Sequence, residues 1–400
     1  MSKLPLSQRV QDMTESATIA MSQKSRKMVE QGLDVISLSI GQPDFNTPDA
    51  VKNAAKKAID KNYSKYTPVG GYLALREAIS NKLKRENNLI YTPDQISVST
   101  GAKQAIINVI LALVNPGDEV ILPAPFWVSY MEQIKFAGGI PIIVPTQIEN
   151  DFKITKDELV NAITKKSKLI IYSSPCNPSG SVYSKEELSN IADVVSQHKE
   201  LFVLSDEIYE YINFTEENVS IGAFPQVKNQ VITINGVAKG FAMTGWRIGY
   251  AAGPEWLIKA CNKIQGQFTS GANSIAQRAC ITAMNEGIKL STDMKASFLN
   301  RRDLMYNLLQ EIPGLKVNKP KGAFYLFPDV SSYFGKSTDG NTINNADELC
   351  DFLLNDALVA LVSGTAFGAP KCVRISYASA DDLLIKAGDR IKKSLAKLSN

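Results

Sequence analysis

The stretch VITINGVAKGFAMTGWRIGYAAG occupies residues 231–253. Its first four residues are the β-branched and apolar kind that favours a buried strand, and the pair Asn235-Gly236 that follows them favours a turn. A second strand-like run begins at Trp246, includes Arg247 and carries Gly249, which would let a bulky ligand approach the backbone. The stretch is therefore predicted to form two strands with a loop between them.

Lys239 lies in that loop among apolar residues, with no acidic residue within several positions. An amine held in apolar surroundings loses hydration of its charged form, so its pKa falls and a neutral nucleophile becomes available. One loop and strand would then offer a reactive amine and, through Arg247, a fixed cation. The alternative is an interior loop whose lysine extends to solvent and whose arginine pairs with an acid; these residues alone favour neither.

Composition sets limits on the class of protein. With 400 residues the chain fits two or three domains, and 44% apolar and 21% charged residues are typical of a globular protein. The net charge of +4 comes from basic residues interspersed with acidic ones, which is no nucleic-acid footprint. Five cysteines without a Cys-x-x-Cys pair, and a single histidine, His198, argue against disulfides, a metal site and Ser-His-Asp hydrolysis.

Apolar strand-like runs alternate with helical patterns over much of the chain, which predicts βαβ units and a largely parallel sheet with helices on both faces. Seven runs fit strands: 96–99, 119–122, 140–144, 169–172, 202–205, 231–234 and 247–251. Beyond residue 255 come helices and a compact α+β segment, which indicate a second, smaller domain. No run of 18 apolar residues occurs, so a cytoplasmic protein is expected.

Ligands of open α/β sheets bind beyond the carboxyl ends of the strands, where this chain places several polar groups. The 96–99 run leads through Gly101 into a helix, a backbone arrangement suited to phosphate. Asn177 lies in a turn after the 169–172 run, and Asp206 follows the 202–205 run. Arg374 lies in a strand of the smaller domain, where a structural ion pair is the alternative to a ligand contact.

Taken together, Asn177, Asp206-x-x-Tyr209, Lys239, Arg247 and a late Arg374 occur in an order and spacing that resemble the class I/II pyridoxal-phosphate-dependent aminotransferases of fold type I. The likeness covers nearly the whole chain and is greatest to the bacterial aspartate aminotransferase branch. It implies a three-layer, seven-stranded, largely parallel sheet with a smaller α+β domain. The implied division is a large cofactor-binding domain at 46–290 and a small domain made of 1–45 and 291–400.

The resemblance also implies roles for these side chains. Lys239 would be the catalytic residue, holding pyridoxal phosphate as an internal aldimine and moving a proton between substrate and cofactor. Asp206 would face the pyridine nitrogen and keep it protonated. Tyr209 and Asn177 would hydrogen-bond the ring oxygen, and Trp127 would stack on the ring.

The remaining implied contacts concern phosphate and substrate. The phosphate would be held by one arginine, by three backbone amides and by a tyrosine of a neighbouring subunit: Arg247, then Gly101, Ala102 and Lys103, then Tyr66. The substrate would be bound by a bidentate arginine and three further residues: Arg374, with Gly41, Trp127 and Asn177. No metal is implied.

The activity implied by the resemblance is ping-pong transfer of an amino group from aspartate to 2-oxoglutarate by a cytoplasmic homodimer. Open alternatives are an aminotransferase of the same fold for aromatic amino acids, prephenate or alanine, and a pyridoxal-phosphate sensor without turnover. The only partners implied are small amino acids and oxo acids. Arg9 is a candidate for binding the distal carboxylate of an acidic substrate.

Overall fold

The centre of the molecule is a seven-stranded sheet in a computed structural model that describes residues 5–338 and 340–399. Its strands in chain order are β2 (Ile96–Ser99), β3 (Glu119–Ala124), β4 (Ile140–Pro145), β5 (Ser167–Ser173), β6 (Phe202–Asp206), β7 (Val231–Gly236) and β8 (Gly249–Ala252), after the short β1 (Ile36–Ser37) outside this sheet. Their spatial order is β2-β8-β7-β6-β5-β3-β4, and only β8 runs against its neighbours. The predicted seven-stranded, largely parallel sheet is confirmed.

The predicted turn at Asn235-Gly236 is wrong, because β7 continues through both residues. Asn235 pairs with Tyr250 and Gly236 with Gly249 in the antiparallel ladder between β7 and β8. A Cβ at Gly236 would lie 2.8 Å from the Ile248 carbonyl oxygen, so the close approach of β8 requires the glycine here. The glycine serves strand contact rather than chain reversal.

The prediction that Arg247 lies in a strand is also wrong. A short 3₁₀ turn, Thr244–Trp246, precedes it, and Arg247 itself adopts a left-handed backbone conformation with φ 58° before β8 begins at Gly249. Alternation of apolar and polar residues cannot reveal a single left-handed residue, since non-glycine residues seldom adopt it. The turn projects Arg247 at the strand edge, where it is exposed.

Helices cover both faces of the sheet. The side chains of alternate residues in a strand point to opposite faces, and each face is buried by the helices packed on it. One face packs on α5 (Ala102–Leu113), α6 (Ser129–Phe136) and α9 (Glu255–Phe268), and the other on α7 (Lys156–Ala162) and α8 (Lys185–Ser196). The helices of the described residues are α1 (Gln8–Gln11), α2 (Ala17–Glu30), α3 (Asp49–Asp60), α4 (Leu73–Asn87), α5 (Ala102–Leu113), α6 (Ser129–Phe136), α7 (Lys156–Ala162), α8 (Lys185–Ser196), α9 (Glu255–Phe268), α10 (Ser274–Glu286), α11 (Thr292–Gln310), α12 (Ala346–Phe352) and α13 (Asp381–Leu395). None of these helices combines the length and the apolar character that crossing a membrane requires.

The C-terminal part of the chain forms a second hydrophobic core. The short strands after α11 are β9 (Tyr325–Leu326), β10 (Ser337–Thr338), β11 (Asn341–Thr342), β12 (Val359–Ala360), β13 (Val362–Ser363) and β14 (Val373–Ser376). The sheet β13-β14-β9 packs with α11 and α13, and β1 pairs with β12, which ties the N-terminal segment to this part. The division at 45 and 290 stays a prediction, and its small part includes residues 1–4, 339 and 400 outside the described ranges.

A buried ion pair holds the loop that follows β6. Lys82 on α4 is fully buried and donates to Glu210, whose other oxygen accepts from Asn87 Nδ2 at 2.8 Å. Glu210 is four residues beyond Asp206, so the pair anchors the segment on which Asp206 and Tyr209 stand. Both charges are removed from water, and their mutual attraction and the hydrogen bonds around them compensate for the lost hydration; Lys82 also donates to Asn87 Oδ1 at 2.8 Å.

Replacing Lys82 by Met should therefore lower the free energy of unfolding by about 3–5 kcal/mol, because the Glu210 carboxylate would stay buried without its cation. Urea unfolding followed by circular dichroism measures the loss. The matched control is Lys259→Met, which breaks an exposed pair with Glu255 and should leave the midpoint unchanged. Equal midpoints for both variants would contradict the anchoring role.

Candidate active site

A cavity of about 320 Å³ lies at the carboxyl ends of the parallel strands, between the large sheet and the sheet β13-β14-β9. Its size suits a small organic ligand. Residues at the ends of β5, β6 and β7 meet there with the first turn of α5 and with residues from β9 and β14. The lining residues include Gly41, Ala102, Lys103, Trp127, Tyr130, Ser173, Asn177, Asp206, Tyr209, Lys239, Arg247, Tyr325 and Arg374.

Lys239 lies just beyond β7 and points inward. Its Nζ donates to the Gly41 carbonyl oxygen at 2.6 Å, so the side chain does not extend to solvent as the alternative interpretation required. Burial lowers the pKa of Lys239 to about 8, helped by the charges of Arg374 and Arg247 and opposed by Asp206. The amine is thus partly neutral near physiological pH, as the sequence predicted.

Asp206 ends β6 and is 4% exposed. The Tyr130 hydroxyl donates to its Oδ2 at 2.6 Å, and the Ile208 N–H donates to its Oδ1 at 3.2 Å. Burial raises the pKa of Asp206 to about 6, while these two donors and the charge of Lys239 hold it down. The carboxylate can therefore stay ionised at neutral pH inside an apolar wall and offer its charge to a ligand.

Arg374 on β14 is 2% exposed and makes no ion pair with any carboxylate in the described parts of the chain. Its guanidinium instead donates to Asn177 Oδ1 at 3.0 Å and to the Ser39 carbonyl oxygen at 2.5 Å. The Nε atom is buried and finds no partner among the described residues. The structural ion pair is therefore wrong, and a buried cation with spare donors faces the cavity.

An anion cradle closes one end of the cavity. Gly101 (φ 84°) caps α5, and a Cβ there would lie 2.4 Å from an Arg247 guanidinium nitrogen. A Cβ at Gly249 would likewise lie 2.2 Å from the Ala102 amide nitrogen. Both glycines let the arginine and the helix start approach each other. The N–H groups of a first helical turn have no partner within the helix, so this end suits a phosphate.

Aromatic rings form the walls. Trp127 contacts Tyr130 edge-to-face at 5.4 Å between centroids, and the Lys103 Nζ lies 4.9 Å from the centre of the Trp127 ring. Partial burial and the nearby charge of Arg247 lower the pKa of Lys103. The Tyr209 hydroxyl lies 2.8 Å from that of Tyr325. Flat apolar surfaces with polar edges are suited to a planar, substituted ring.

Most of the predicted site residues are brought together, and three lie outside this cavity. Gly101 stands behind Arg247 rather than on the surface of the cavity. Tyr66 is 98% exposed and lines a different depression, so its expected role in a neighbouring subunit stays a prediction. Arg9 stacks over the Phe136 ring and lines a separate depression, so nothing in the same chain supports its contact with a substrate.

Sequence reasoning missed Tyr130, Tyr325, Ser39 and Ser173. Tyr130 follows Trp127 by three residues and lies in the first turn of α6, so its place beside the same ligand could have been inferred from its nearness in the sequence. Tyr325 stands in an apolar run that reads as core, and Ser39 acts through its backbone oxygen, which sequence does not specify. Ser173 ends β5, and its buried hydroxyl has no partner among the described residues. Position at a strand end was the one available signal for it.

Comparisons with known proteins agree on one family. Residues 33–388 match the family model described as Aminotransferase class I and II. The chain is 48% identical to a bifunctional aspartate aminotransferase and glutamate/aspartate-prephenate aminotransferase of Petunia hybrida, over 99% of this chain and 84% of that protein. The aspartate aminotransferase structure from Rhizobium meliloti has a TM-score of 0.96 at 39% identity, covering 99% of this chain and 100% of that one.

A structure of aspartate aminotransferase from Thermus thermophilus with maleate has a TM-score of 0.91 at 39% identity. It covers 98% of this chain and 100% of that one. The family resemblance and the fold class predicted from the sequence are both confirmed by these matches.

The lowered pKa of Lys239 gives a testable pH dependence. Only a neutral amine reacts with trinitrobenzenesulfonate, so labelling of Lys239 in the ligand-free protein should rise with pH to a midpoint at about 8. Peptide mapping after brief labelling at a series of pH values measures it. Lys259 is the internal control. Its ion pair with Glu255 raises its pKa, so it should label only at higher pH. A shared midpoint would contradict the role of burial.

Proposed function

We propose that this chain, which belongs to the class I and II aminotransferases, transfers the amino group of aspartate to 2-oxoglutarate and yields oxaloacetate and glutamate. The observation that carries the proposal is the charge of the cavity. Among the described residues, four cationic side chains line it, Lys103, Lys239, Arg247 and Arg374, against one carboxylate, that of Asp206. A ligand with several negative groups is needed to balance them.

The family uses pyridoxal phosphate, and the residues of this cavity fit it. The cradle of Arg247 and the start of α5 suits its phosphate, buried Asp206 suits its ring nitrogen, and Trp127 offers a stacking face. Because Asn177 Oδ1 accepts from Arg374, its Nδ2 is the group left for a ligand oxygen. When bound, the cofactor accepts the electron pair left on the substrate Cα and stores the amino group between the half-reactions.

Lys239 moves the proton in this proposal. Burial lowers the pKa of its Nζ to about 8, so part of the amine is neutral and can take the proton from the Cα of the amino acid in one half-reaction. In the other half-reaction Nζ gives a proton to the Cα of the oxo acid. The Gly41 carbonyl oxygen directs the amine within the cavity. The Tyr130 hydroxyl holds Asp206 in place, and the charge of Asp206 would stabilise positive charge on the ring nitrogen of the cofactor.

Two cationic side chains would each bind one carboxylate of the substrate. Arg374, fixed by Asn177 and the Ser39 carbonyl, would bind the α-carboxylate through its remaining N–H groups. Lys103 lies over Trp127 without an acidic partner in the described residues, and its ammonium would bind the distal carboxylate. Prephenate is a second candidate partner, since the Petunia hybrida relative is among those named for it and prephenate also carries two carboxylates.

The proposed assembly is a homodimer, and the proposed location is the cytoplasm. Tyr66, exposed by 98%, is available to complete the phosphate cradle of a second copy. The five cysteines, all buried and unbridged, agree with a reducing compartment.

The activity itself is tested with purified protein supplied with pyridoxal phosphate. The visible absorption band of the bound cofactor should shift on addition of aspartate, and oxaloacetate should form when 2-oxoglutarate is present. Lys239→Ala should abolish turnover yet still bind the cofactor weakly, because the phosphate and ring contacts remain. Faster turnover of phenylalanine or alanine than of aspartate would reassign the amino donor, and prephenate is compared as acceptor.

Lys103→Met should lower kcat/KM for aspartate by about 10- to 150-fold, the effect of one charge-assisted pair, and leave kcat/KM for alanine within about 3-fold. The phosphate contact survives, because it uses the backbone of Lys103. Arg374→Lys is the matched control and should lower both values alike, since every amino acid carries the α-carboxylate. Equal losses for aspartate and alanine in Lys103→Met would place the distal carboxylate elsewhere.

A further inference from the structure

Tyr325 connects two parts of the cavity that belong to different sheets. It lies on β9, is fully buried and lines the cavity. Its hydroxyl lies 2.8 Å from the hydroxyl of Tyr209, which stands in the loop after β6, and the two rings meet edge-to-face at 5.8 Å. One hydrogen bond thus joins the C-terminal sheet to the strand end that carries Asp206.

The same ring supports Arg374. β9 and β14 are antiparallel neighbours, so Tyr325 stands close to Arg374, and the guanidinium carbon lies 4.6 Å from the Tyr325 ring centre. Phe367 flanks the guanidinium at 5.0 Å. A cation desolvated between aromatic faces is stabilised by them and held in one plane.

Neighbouring backbone leaves little space around the Tyr325 hydroxyl. A Cβ at Gly41 would lie 2.2 Å from it, so the glycine is what lets the hydroxyl occupy this position. The carbonyl oxygen of the same glycine accepts from Lys239. The hydroxyl is therefore confined between the segment that directs Lys239 and the loop that carries Tyr209.

Either hydroxyl could donate in the hydrogen bond between Tyr325 and Tyr209. Burial raises the pKa of both phenols. The Arg374 cation opposes this rise at Tyr325, and the Tyr325 phenol further raises the pKa of Tyr209. When Tyr209 donates its proton to the ring oxygen of the cofactor, as the family resemblance implies, its own oxygen is left to accept the Tyr325 proton. The Tyr209 proton is then free to point into the cavity, and a hydroxyl that accepts one bond donates a stronger one.

We propose that Tyr325 is a positioning residue that acts on both ligands of the site. Its hydroxyl orients the Tyr209 O–H toward the cofactor, and its ring fixes the plane of the Arg374 guanidinium for the substrate carboxylate. The inference rests on the proposed function, since it concerns the same cavity. Tyr325 itself is assigned no part in proton transfer.

A double-mutant cycle tests the first half. The dissociation constant of pyridoxal phosphate is measured by fluorescence titration of the cofactor-free wild type, Tyr209→Phe, Tyr325→Phe and the double variant. Tyr325→Phe should weaken binding by about 3- to 10-fold in the wild type and by less than about 2-fold in Tyr209→Phe. The matched control is Tyr377→Phe, a fully buried tyrosine whose hydroxyl donates to the Ala323 carbonyl at 3.1 Å and which does not line the cavity.

Tyr377→Phe should leave the cofactor affinity unchanged even where it lowers the melting temperature as much as Tyr325→Phe does. This comparison separates positioning from general stability. Equal losses from Tyr325→Phe in both backgrounds, or no loss in either, would overturn the proposed relay through Tyr209.

The ring is tested with succinate, an unreactive dicarboxylate, bound to the cofactor-loaded protein. Tyr325→Leu should weaken succinate binding by about 3- to 30-fold, whereas Tyr325→Phe, which keeps the ring, should stay within about 2-fold of wild type. Wild-type affinity in Tyr325→Leu would refute the support of Arg374. A wild type that binds the cofactor but fails to transfer the amino group of aspartate would refute the proposed function alone.

Discussion

Burial of the Asp206 carboxylate is the constraint on which the site depends. A carboxylate at 4% exposure stays ionised only if its surroundings replace the water it has lost. The replacements come from three places: the Tyr130 hydroxyl on α6, the Ile208 amide in the loop after β6, and the charge of Lys239 beyond β7. Strands β6 and β7 must therefore be neighbours, and α6 must lie against their ends, for this one charge to persist.

The same requirement explains the unusual Lys239. An amine deep in a cavity with two arginines would lose its proton readily, and Asp206 limits that loss. Acid and amine each shift the pKa of the other toward the charged form, while burial shifts both toward the neutral form. Neither group has its properties alone; they arise from the parallel sheet that sets their separation.

The sequence predicted much of this arrangement, because strands and strand ends follow from apolar periodicity and βαβ order. The limits of β2 agree with the sequence pattern to the residue, and Asp206, Lys239 and Arg374 line one cavity, as expected. What failed depends on single dihedral angles or on strand pairing, as with Arg247 and Asn235. Tyr130 and Tyr325 were missed because a buried aromatic residue reads as core until its hydroxyl partner is known.

The surplus of cations in the cavity has a consequence for discrimination. Long-range attraction draws in any small anion, including inorganic phosphate and other cellular acids, and speeds their arrival without distinguishing them. Selection must then arise after arrival, from the fixed planes and spacings of the groups that receive each negative charge. The guanidinium of Arg374 is packed against the rings of Tyr325 and Phe367, which fix its plane. Anions attracted by charge alone are then selected by whether their shape fits that plane.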